Sequence, residues 1–528
     1  MPAIGKTSIS CPGSEATQMS DTVKDTTYAS DSLKGAVKDQ GLLKTHGFVG
    51  GEWMPALDNS TISVTNPATG EEIAKVSMMK GDETRAAIAA AATAFPQWSA
   101  LTGKERGKIL RRWYNNVLEA QDDIAAIMTL ESGKPLKESK AETLSGADSI
   151  DWFAEEARRV YGDVLASTNP NSRMVVIKQP VGVVAAITPW NFPMSMITRK
   201  VAPALAAGCT AILKPAEATP LTALALAELA RRAGVPAGVL NIVVGEPKSI
   251  GAKMLESDAV RKIGFTGSTP VGKQLMAGAA NTVKKVSLEL GGNAPFIVFD
   301  DAELDKAAAA VVASAFRNAG QTCICANRIF VQEGIYEDFA QAVTSLVKEF
   351  KMGSGMDPST TLGPLISPAA VDRVKVHVDD ALAKGATALT GGSERPQMSD
   401  QYTKGNFFTP TVLRDANIDM KIYREETFGP ALPLFKFSRD EEAVKLANDT
   451  EYGLAAYFFT RDLARAWKAA EQLEYGMIGI NEVAITSEVA PFGGIKHSGL
   501  GREQSKYGID EFLIIKYMCM GVGYRQLG

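Results

Sequence analysis

Cys323 is the residue whose surroundings in the sequence best fit covalent chemistry. It stands in the segment Asn-Ala-Gly-Gln-Thr-Cys-Ile-Cys, at the end of a predicted helix and directly before a predicted strand. Most isolated cysteines are buried apolar residues, but the polar, glycine-bearing flank here favours a nucleophile. The chain has three histidines, His46, His377 and His497. None of them is close in sequence to the Cys323-Ile-Cys325 pair, so we predict no metal site.

Two further polar residues stand where predicted strands end. Glu289 lies in Val-Ser-Leu-Glu-Leu-Gly-Gly-Asn, at the end of an otherwise apolar strand. A partly dry position there suits a general base, and the alternative is a carboxylate on the solvent face of the strand. Asn191 follows a strand and lies between two prolines that stiffen its loop. It is either a turn residue or an amide donor toward a developing oxyanion.

The sequence contains one weak phosphate-loop pattern. The dinucleotide fingerprint G-x-G-x-x-G is absent, because the G-x-G sites at 353–355 and 499–501 lack the third glycine and a preceding strand. The stretch from Gly267 to Lys273 follows a predicted strand and opens a helix, but Gln274 stands where a P-loop needs serine or threonine. Gly267 and Ser268 can still receive a pyrophosphate through free helix amides, or Ser268 can simply cap the helix.

The elements that position these residues are those of an α/β protein. From residue 181, short apolar strands alternate with helical stretches at about 30-residue spacing, which predicts a doubly wound parallel sheet. The predicted strands are 181–187, 209–214, 240–245 and 260–267. Ligands bind beyond the carboxyl ends of such strands, so the loops 188–193, 215–220 and 266–270 should meet at one crevice. A second α/β series follows, with strands at 295–300 and 328–332 and helices at 303–318 and 336–350.

Bulk properties exclude several classes of protein. A chain of 528 residues is too long for one hydrophobic core, so we expect two or three compact units. The net charge of −4 and the lack of a basic stripe exclude nucleic acid as a partner. No apolar run approaches the ~18 residues that a membrane-spanning helix needs. Five irregularly spaced cysteines argue against a disulfide framework and favour a reducing compartment.

Residues 1–44 are predicted to be a flexible N-terminal tail. They are rich in Ser, Thr, Asp and Lys and show no apolar periodicity. The first arginine of the chain is Arg85, and the tail carries several acidic residues. A mitochondrial presequence is rich in arginine and poor in acidic residues, so a cytoplasmic location is favoured over a mitochondrial one.

Seven motifs, in the order in which they occur, resemble the aldehyde dehydrogenase superfamily from about His46 to the C-terminus. They are Ile187-Thr-Pro-Trp-Asn-Phe-Pro193, Lys214-Pro-Ala-Glu217, Phe265-Thr-Gly-Ser-Thr269, Leu288-Glu-Leu-Gly-Gly292, Gly320-Gln-Thr-Cys323, Glu425-Glu-Thr-Phe-Gly-Pro430 and Pro491-Phe-Gly-Gly494. The resemblance implies a cofactor-binding domain (45–168 and 187–291), a catalytic domain (292–497) and a β oligomerisation extension (169–186 and 498–528).

The resemblance also implies an NAD(P)-dependent oxidation of an aldehyde. Cys323 would be the nucleophile, Glu289 the general base, and the Asn191 side chain with the Cys323 amide the oxyanion hole. The thiolate adds to the aldehyde, hydride passes to the nicotinamide, and Glu289 activates the water that hydrolyses the resulting thioester. Lys200 and Glu503 match positions that relay protons or support the site in relatives.

The cofactor residues follow from the same motifs. The resemblance implies cofactor contacts at Ile187, Thr188, Pro189, Trp190, Lys214, Ala216, Glu217, Gly251, Gly267, Ser268, Leu290, Glu426 and Phe428. A carboxylate at Glu217, hydrogen-bonded to the adenosine ribose, would repel a 2′-phosphate. We therefore expect NAD to be preferred, while Lys214 leaves NADP as a second cofactor.

Within the superfamily, the stretches 152–162, 196–200, 316–325 and 498–508 resemble succinate-semialdehyde dehydrogenases. By this likeness Arg199, Arg317 and Ser487 would hold the distal carboxylate of the substrate, since guanidinium groups pair bidentately with carboxylates. A small shift in the loop would put Thr486 or Glu488 in the place of Ser487. Without this likeness, the simplest interpretation is that both arginines form surface salt bridges. The alternatives are another aldehyde such as glutarate semialdehyde and, from a different class, a cofactor-independent thiol hydrolase that uses Cys323 with His497.

Two features concern assembly and regulation. The predicted strands 172–180 and 511–519 look exposed, and such edges pair naturally with another subunit, so we expect a homodimer or homotetramer. Cys325 is a candidate resolving thiol that forms a reversible disulfide with Cys323, because a working nucleophile should be thiolate-prone and accessible. The resemblance supports this, since some relatives with the pair are switched off by such a bond. The alternative is that Cys325 packs in the following strand.

Overall fold

Strands of residues 28–523, the part of the chain that the computed structural model describes, form four sheets. They are β1 (Tyr28–Ala29), β2 (Gly47–Val49), β3 (Glu52–Met54), β4 (Thr61–Thr65), β5 (Glu72–Ser77), β6 (Asp163–Leu165), β7 (Ser172–Pro180), β8 (Val183–Ile187), β9 (Thr210–Lys214), β10 (Leu240–Ile242), β11 (Val260–Thr266), β12 (Lys285–Glu289), β13 (Ala294–Val298), β14 (Ala326–Gln332), β15 (Thr387–Thr390), β16 (Thr411–Arg414), β17 (Ala431–Phe437), β18 (Ala455–Phe459), β19 (Met477–Ile480), β20 (Gly499–Leu500) and β21 (Leu513–Gly521).

Helices cover the faces of the two large sheets. They are α1 (Asp31–Ala36), α2 (Gly81–Ala100), α3 (Gly103–Glu119), α4 (Gln121–Ser132), α5 (Leu136–Glu156), α6 (Ser195–Ala207), α7 (Leu221–Arg232), α8 (Pro247–Glu256), α9 (Thr269–Ala280), α10 (Leu304–Ala315), α11 (Tyr336–Val347), α12 (Pro368–Ala383), α13 (Lys421–Arg424), α14 (Asp440–Asn448), α15 (Leu463–Gln472) and α16 (Ser505–Asp510). No helix within residues 28–523 is both long and apolar enough to cross a membrane.

The eight-stranded sheet confirms the predicted doubly wound fold. Its order is β20-β12-β11-β8-β9-β10-β2-β3, and the run from β12 to β10 is parallel. Alternate residues of β8 point to opposite faces: Val183 and Ala185 pack with α2 and α8, whereas Val184 and Ala186 pack with α5, α6 and α7. Both faces of the central strands are therefore buried, which explains why these strands are continuously apolar in sequence.

The second α/β series forms a seven-stranded sheet of order β15-β16-β17-β14-β13-β18-β19. Its strands are parallel except for β15, and they share one core with α10, α11 and α12. The helix predicted for 303–318 ends early, at Ala315. A short 3-10 segment follows, in which Asn318 and Ala319 have φ values of 50° and 54°. Two successive left-handed residues cannot continue a right-handed helix.

The carboxyl ends of the central strands meet at one edge of the eight-stranded sheet. Thr266 of β11 is paired with Glu289 of β12, and Ile187 of β8 is paired with Lys214 of β9. The loops that follow these strands therefore open on the same side, as the sequence predicted. Cys323 precedes β14 of the other sheet and lines one cleft together with Thr266 and Leu290, so the second sheet meets the first at this edge.

The predicted tail needs a correction. Residues 1–27 lie outside the described residues, but residues 28–44 include β1 and α1 and are not a tail. Leu33, Val37 and Leu42 are buried in the same apolar cluster as α3, α4 and α7. The carboxylate of Asp123 accepts the backbone N–H groups of residues 38 and 39 and fixes the chain after α1. The apolar residues are few, and the polar composition hid their helical spacing.

The boundaries of the predicted extension also need correction. β7 pairs with β21 over nine residues, and β6 joins the other side of β7, so the extension includes 163–165. The strand Val183–Ile187 lies in the middle of the eight-stranded sheet and does not belong to the extension. Gly499–Leu500 pairs with β12 of the same large sheet. These assignments depend on strand pairing, which local sequence does not specify.

Candidate active site

An open cleft of about 300 Å³ lies where the loops of the two large sheets meet. Predicted site residues on its lining are Pro189, Trp190, Asn191, Gly267, Ser268, Leu290, Cys323, Glu426 and Phe428. The helix α12 contributes further lining residues that the sequence did not single out, among them Ala370 and Arg373. A cleft of this size is suited to a small molecule or an extended cofactor.

A smaller cavity of about 30 Å³ lies beside the cleft. Its lining includes Arg199, Arg317, Phe192, Phe492 and again Cys323. The candidate nucleophile therefore borders both spaces, with the large cleft on one side and the arginine-lined cavity on the other. Such an arrangement lets one sulfur react with a small substrate while a second molecule occupies the cleft.

Cys323 is half-buried, and its environment does not favour the thiolate. Burial raises the pKa of its thiol well above the usual value, and the carboxylates of Glu426 and Glu289 raise it further, whereas Arg199 acts in the opposite direction. Because desolvation penalises the charged form, these surroundings alone do not activate the Cys323 thiol. The thiol must give up its proton during the reaction.

Asn191 is held beside the nucleophile by hydrogen bonds of both its side chain and its backbone. Its side-chain Nδ2 donates to the carbonyl oxygen of Gln321, two residues before Cys323, at 3.0 Å. The carbonyl oxygen of Asn191 accepts from Lys134 Nζ at 2.7 Å and from Asn318 Nδ2 at 3.1 Å. An amide nitrogen has two N–H groups, so one of them is left to stabilise an oxyanion.

Lys134 and Glu142 form a buried ion pair that the sequence analysis missed. Glu142 Oε1 also accepts the backbone N–H groups of Met194 at 2.9 Å and Ser195 at 3.2 Å, where α6 begins. The pair thus fixes the start of the helix that carries Arg199 and Lys200, and it satisfies helix amides that otherwise lack partners. The only local signal was a lysine between glycine and proline, at the break between α4 and α5.

Glu289 is 3 % exposed and lies at the end of β12. Burial raises the pKa of Glu289 well above its usual value, the nearby Glu503 raises it further, and Lys200 lowers it. Its Oε2 atom has no hydrogen-bond partner among the described residues. Lys200 contacts Glu503 and the Thr266 hydroxyl, so the three predicted ionisable residues form one buried cluster. A carboxyl group of this kind suits proton transfer near neutral pH.

The two predicted substrate arginines lie against aromatic rings. The guanidinium carbon of Arg199 is 4.6 Å from the centre of the Phe492 ring, and that of Arg317 is 5.2 Å from the centre of the Phe192 ring. Arg199 is 3 % exposed, and its Nε finds no hydrogen-bond partner within residues 28–523. A buried guanidinium with an unused donor is costly unless an anion binds it.

Ser487, the third residue predicted for the substrate carboxylate, is placed differently. Its hydroxyl donates to Glu488 Oε2 at 3.1 Å, and the residue on the cavity lining is its neighbour Thr486. The loop here has no regular periodicity, so the sequence could not show which of the two side chains points inward. The structure thus offers the Thr486 hydroxyl, rather than that of Ser487, beside the two arginines.

Glu426 and Phe428 stand on the opposite wall of the cleft. Glu426 Oε1 accepts the backbone N–H of Gly292 at 3.1 Å, and burial raises the pKa of Glu426 to about 7. Phe428 has a φ of 54° and meets the Trp190 ring edge-on, with ring centres 5.7 Å apart. This contact brings the two sides of the cleft together.

The remaining predicted cofactor residues continue from the cleft along the ends of β8 and β9. Lys214 is buried and contacts the Glu217 carboxylate. Thr188 and Ala216 are buried, and the Thr188 hydroxyl oxygen lacks a hydrogen-bond partner in the described range. A Cβ atom on Gly251 of α8 would meet nothing within 4 Å, so open space lies beside this buried glycine. A dinucleotide could bind at these strand ends, because they offer an unpaired hydroxyl, open space and a carboxylate.

Comparison with known proteins decides the family. A family model described as "Aldehyde dehydrogenase family" matches residues 53–518. The chain belongs to the aldehyde dehydrogenase family. It is 55 % identical over 486 residues to the succinate-semialdehyde dehydrogenase [NADP(+)] of Escherichia coli strain K12, covering 92 % of this chain and 100 % of that protein. The glutarate-semialdehyde dehydrogenase of Pseudomonas putida is also 55 % identical, with the same coverage.

A solved structure gives the same result for the fold. The succinate-semialdehyde dehydrogenase from Burkholderia pseudomallei superposes on this dehydrogenase with a TM-score of 0.91 and 55 % sequence identity. The match covers 92 % of this chain and 100 % of that one. The α/β aldehyde dehydrogenase fold predicted from the motifs is therefore confirmed.

Cys325 is buried in this dehydrogenase rather than open to solvent. It is 2 % exposed, its Sγ lies 3.9 Å from the carbonyl oxygen of Arg317, and burial raises the pKa of its thiol to about 12. The phenol of Tyr457 donates to the carbonyl oxygen of Ile324 at 2.8 Å and fixes the residue between the two cysteines. A bond between Cys323 and Cys325 therefore needs a local rearrangement of this segment.

The alternative catalytic pairing finds no support in the geometry. His497, which a thiol hydrolase would use with Cys323, contacts the Glu451 carboxylate at 2.9 Å and is partly exposed. It is not among the residues that line the cleft or the smaller cavity.

Within residues 28–523 there is also no group of three or more side chains that could hold a metal ion.

Proposed function

We propose that this aldehyde dehydrogenase oxidises succinate semialdehyde to succinate. The observation that carries the proposal is the cavity beside Cys323, in which two guanidinium groups stand on aromatic rings and Arg199 keeps a buried, unused donor. A short aldehyde with a carboxylate at its far end would place its carbonyl carbon at the sulfur and its negative charge at the arginines. Bidentate pairing with a planar guanidinium fits such a carboxylate.

The residues of the chain supply the covalent steps. The Cys323 thiol loses its proton to solvent, Sγ bonds to the aldehyde carbon, and the Asn191 side-chain N–H stabilises the negative oxygen of the thiohemiacetal. Trp190, Ser268 and Glu426 are among the residues that would hold NAD(P) in the cleft, where it would supply the hydride acceptor needed to oxidise the adduct to a thioester. Glu289 then takes a proton from water, the hydroxide attacks the thioester carbon, and the carbon–sulfur bond breaks to release succinate and the thiol.

A second candidate substrate is glutarate semialdehyde, which is one methylene longer. The Pseudomonas putida relative is named for that substrate and is as similar to this chain as the E. coli relative. One methylene changes discrimination by about 1–3 kcal/mol at most. Initial rates with succinate semialdehyde, glutarate semialdehyde and butanal, each at several concentrations, separate these possibilities. A higher kcat/KM for butanal than for both charged aldehydes would contradict the proposal.

Replacing either arginine with alanine should weaken use of the charged aldehyde selectively. Removing one member of a desolvated charge pair costs roughly 2–5 kcal/mol, so kcat/KM for succinate semialdehyde should fall at least about 30-fold in Arg199→Ala, which loses a buried guanidinium. The loss should be larger for Arg199→Ala, because Arg199 is buried whereas Arg317 is exposed. The butanal value should change little. Arg461→Ala removes an exposed arginine and serves as the control.

Equal losses for succinate semialdehyde and butanal in the Arg199→Ala enzyme would show that this arginine only supports the structure. Thr486→Val and Ser487→Ala form a further matched pair of variants. Since Thr486 lines the cavity and Ser487 donates to Glu488, the threonine change should raise the KM for succinate semialdehyde more than the serine change.

For the cofactor we propose a preference for NAD over NADP. Glu217 at the end of the Lys214-Pro-Ala-Glu segment would repel a 2′-phosphate, although its contact with Lys214 offsets part of the charge. The kcat/KM for NAD should exceed that for NADP. Glu217→Gln should lower the ratio of these two values. Glu474→Gln, at an exposed site, should leave the ratio unchanged. Equal or better kinetics with NADP in the unmodified enzyme would overturn this preference.

We also propose that the enzyme is a homodimer or homotetramer. The outer strand β21 exposes Ile515 at 75 % and Tyr517 at 52 %, next to a free edge that can pair with a second copy. Light scattering should give a mass of two or four times the 56.2 kDa of one chain.

For the compartment we propose the cytoplasm, on the basis of the acidic, arginine-free segment before Arg85.

Cys325 is proposed as a reversible redox partner of Cys323. Peroxide should inactivate the enzyme, and dithiothreitol should restore it, because a disulfide protects the nucleophile from irreversible oxidation. Since both thiols are protonated and Cys325 is buried, inactivation should be slow and should quicken as pH rises. Cys325→Ala should lose the recovery, whereas Cys519→Ala, at an exposed site, should keep it. Full recovery of Cys325→Ala under dithiothreitol would exclude the switch.

A further inference from the structure

His377 takes no part in the proposed chemistry, yet it contacts the wall of the cleft at two points. It lies on α12, behind the segment Glu425–Gly429, which we call the strap. Its Nε2 is 3.1 Å from Glu425 Oε2, and its Nδ1 is 3.0 Å from the Thr427 hydroxyl oxygen. The histidine therefore holds the residues on either side of Glu426, which itself faces the cleft.

The chemistry of the partners fixes the protonation of this ring. His377 is 2 % exposed, and burial lowers its pKa below the usual value, even though Glu425 acts in the opposite direction. A carboxylate can only accept, so the neutral ring carries its proton on Nε2, and Nδ1 accepts the hydrogen of the Thr427 hydroxyl. Thr427 is 1 % exposed, so loss of this contact would leave a buried hydroxyl unsatisfied, whereas Glu425 reaches solvent.

Packing around the strap shows that α12 sets its position. A Cβ atom on Gly429 would lie 2.1 Å from Val374 Cγ2, so the helix and the end of the strap are in direct contact. Phe428, between this contact and Thr427, has the left-handed φ of 54° that a bulky residue rarely adopts. Such a backbone persists only where the surroundings hold it. Val374 and His377, one turn apart, hold the strap on both sides of this residue.

We propose that His377 is a positioning residue for the cofactor: by holding Glu425 and Thr427 it fixes Glu426 and Phe428 at the wall of the cleft. The proposal rests on the cofactor placement given under the proposed function. Among the described residues, His377 makes no hydrogen bond with the residues of the arginine-lined cavity or with Glu289, Lys200 or Glu503. Loss of His377 should therefore affect the cofactor and leave aldehyde binding nearly unchanged.

The test compares a substitution that removes both hydrogen bonds of the His377 ring with substitutions that keep one of the two. In His377→Leu the dissociation constant for NAD, measured by equilibrium titration of the enzyme without substrate, should rise about tenfold. The KM for succinate semialdehyde should change by less than about twofold. His377→Asn places an amide near the Nδ1 position and His377→Gln places one near Nε2. Because Thr427 is buried and Glu425 is not, asparagine should restore NAD binding better than glutamine.

His46→Leu is the matched control, since His46 contacts the Ser77 hydroxyl in the cofactor-binding unit at 3.0 Å and does not line the cleft. It should bind NAD as the unmodified enzyme does. If the unmodified enzyme binds neither NAD nor NADP, the proposed function fails. If it binds NAD and His377→Leu binds equally tightly, only the role of His377 is overturned.

A merely structural role would give a different pattern of results. It would lower the melting temperature, raise the aldehyde KM together with the NAD dissociation constant, and show no difference between asparagine and glutamine; that pattern overturns the proposal. Should His377→Leu not fold, Thr427→Val removes the same buried hydrogen bond from the strap side. Unchanged NAD binding in folded Thr427→Val would equally overturn it.

Discussion

Replacing Cys323 with alanine is expected to abolish aldehyde oxidation, with a loss in kcat on the order of 10⁴-fold or more, while NAD binding stays within about twofold. In the proposed mechanism the Cys323 sulfur forms the covalent bond to the substrate, and no other described thiol borders the cleft or the arginine-lined cavity. The cofactor residues lie on other elements, chiefly the ends of β8 and β9 and the strap. Initial rates and equilibrium titration with NAD measure the two quantities separately.

Two cysteines provide controls for this result. Cys519→Ala changes an exposed thiol on β21 and should keep full activity. Cys209→Ala changes a buried thiol whose Sγ contacts the carbonyl oxygen of Phe512 at 3.4 Å, and it should affect stability more than turnover. Steady-state oxidation at the normal rate by Cys323→Ala would remove the covalent mechanism altogether. Weakened NAD binding in the same variant would show that Cys323 also shapes the cleft.

The sequence placed the proposed reacting residues near one another because parallel strands end at a common edge. Glu289 and Asn191 follow predicted strands of one sheet, and pairing of these strands brings their carboxyl ends together. Cys323 precedes a strand of the second sheet, so its position relative to the first depended on the packing of the two units. The family resemblance supplied that relation, and strand periodicity alone could not.

Residues that support the site escaped the sequence analysis for a physical reason. Lys134 contacts the carbonyl oxygen of Asn191, 57 positions later in the chain, and His377 contacts Thr427, 50 positions later. Each looks like an ordinary polar residue in a helical stretch or at its end, where a solvent-facing side chain is expected. Only the fold shows that both are buried, and burial makes their hydrogen bonds matter.

Irregular loops limited the prediction in another way. Ser487 and Thr486 are chemically similar neighbours, and which of them faces the cavity depends on backbone dihedral angles that carry no periodic signal. Likewise, the polar composition before residue 44 suggested a tail, although Leu33 and Val37 have helical spacing and are buried. A few apolar contacts with the rest of the protein were enough to order this segment.

Glu289→Gln is expected to separate the two halves of the reaction. Cys323 should still form the thioester, giving a burst of about one equivalent of reduced cofactor per active site, after which turnover should fall by about 10²- to 10⁴-fold. Glutamine is close in size to glutamate and cannot take a proton from water. Rapid-mixing absorbance measurements resolve the burst from the steady state. Hydroxylamine, which cleaves thioesters directly, should restore part of the turnover.

The pH dependence gives an independent check on Glu289. Burial and Glu503 raise the pKa of Glu289 well above its usual value, so this carboxyl gives up its proton at a higher pH than an ordinary glutamate does. A general base works only when deprotonated, and hydrolysis of the thioester should therefore speed up as pH rises through that pKa. In Glu289→Gln the rate of the residual hydrolysis should not increase in this way with pH. In the control variant Glu441→Gln, which changes an exposed site, the increase with pH should remain. Two results would contradict this role of Glu289: no burst in Glu289→Gln, or normal steady-state turnover with an unchanged pH profile. Another group would then activate the water, and Lys200 and Glu503 would be the residues to examine.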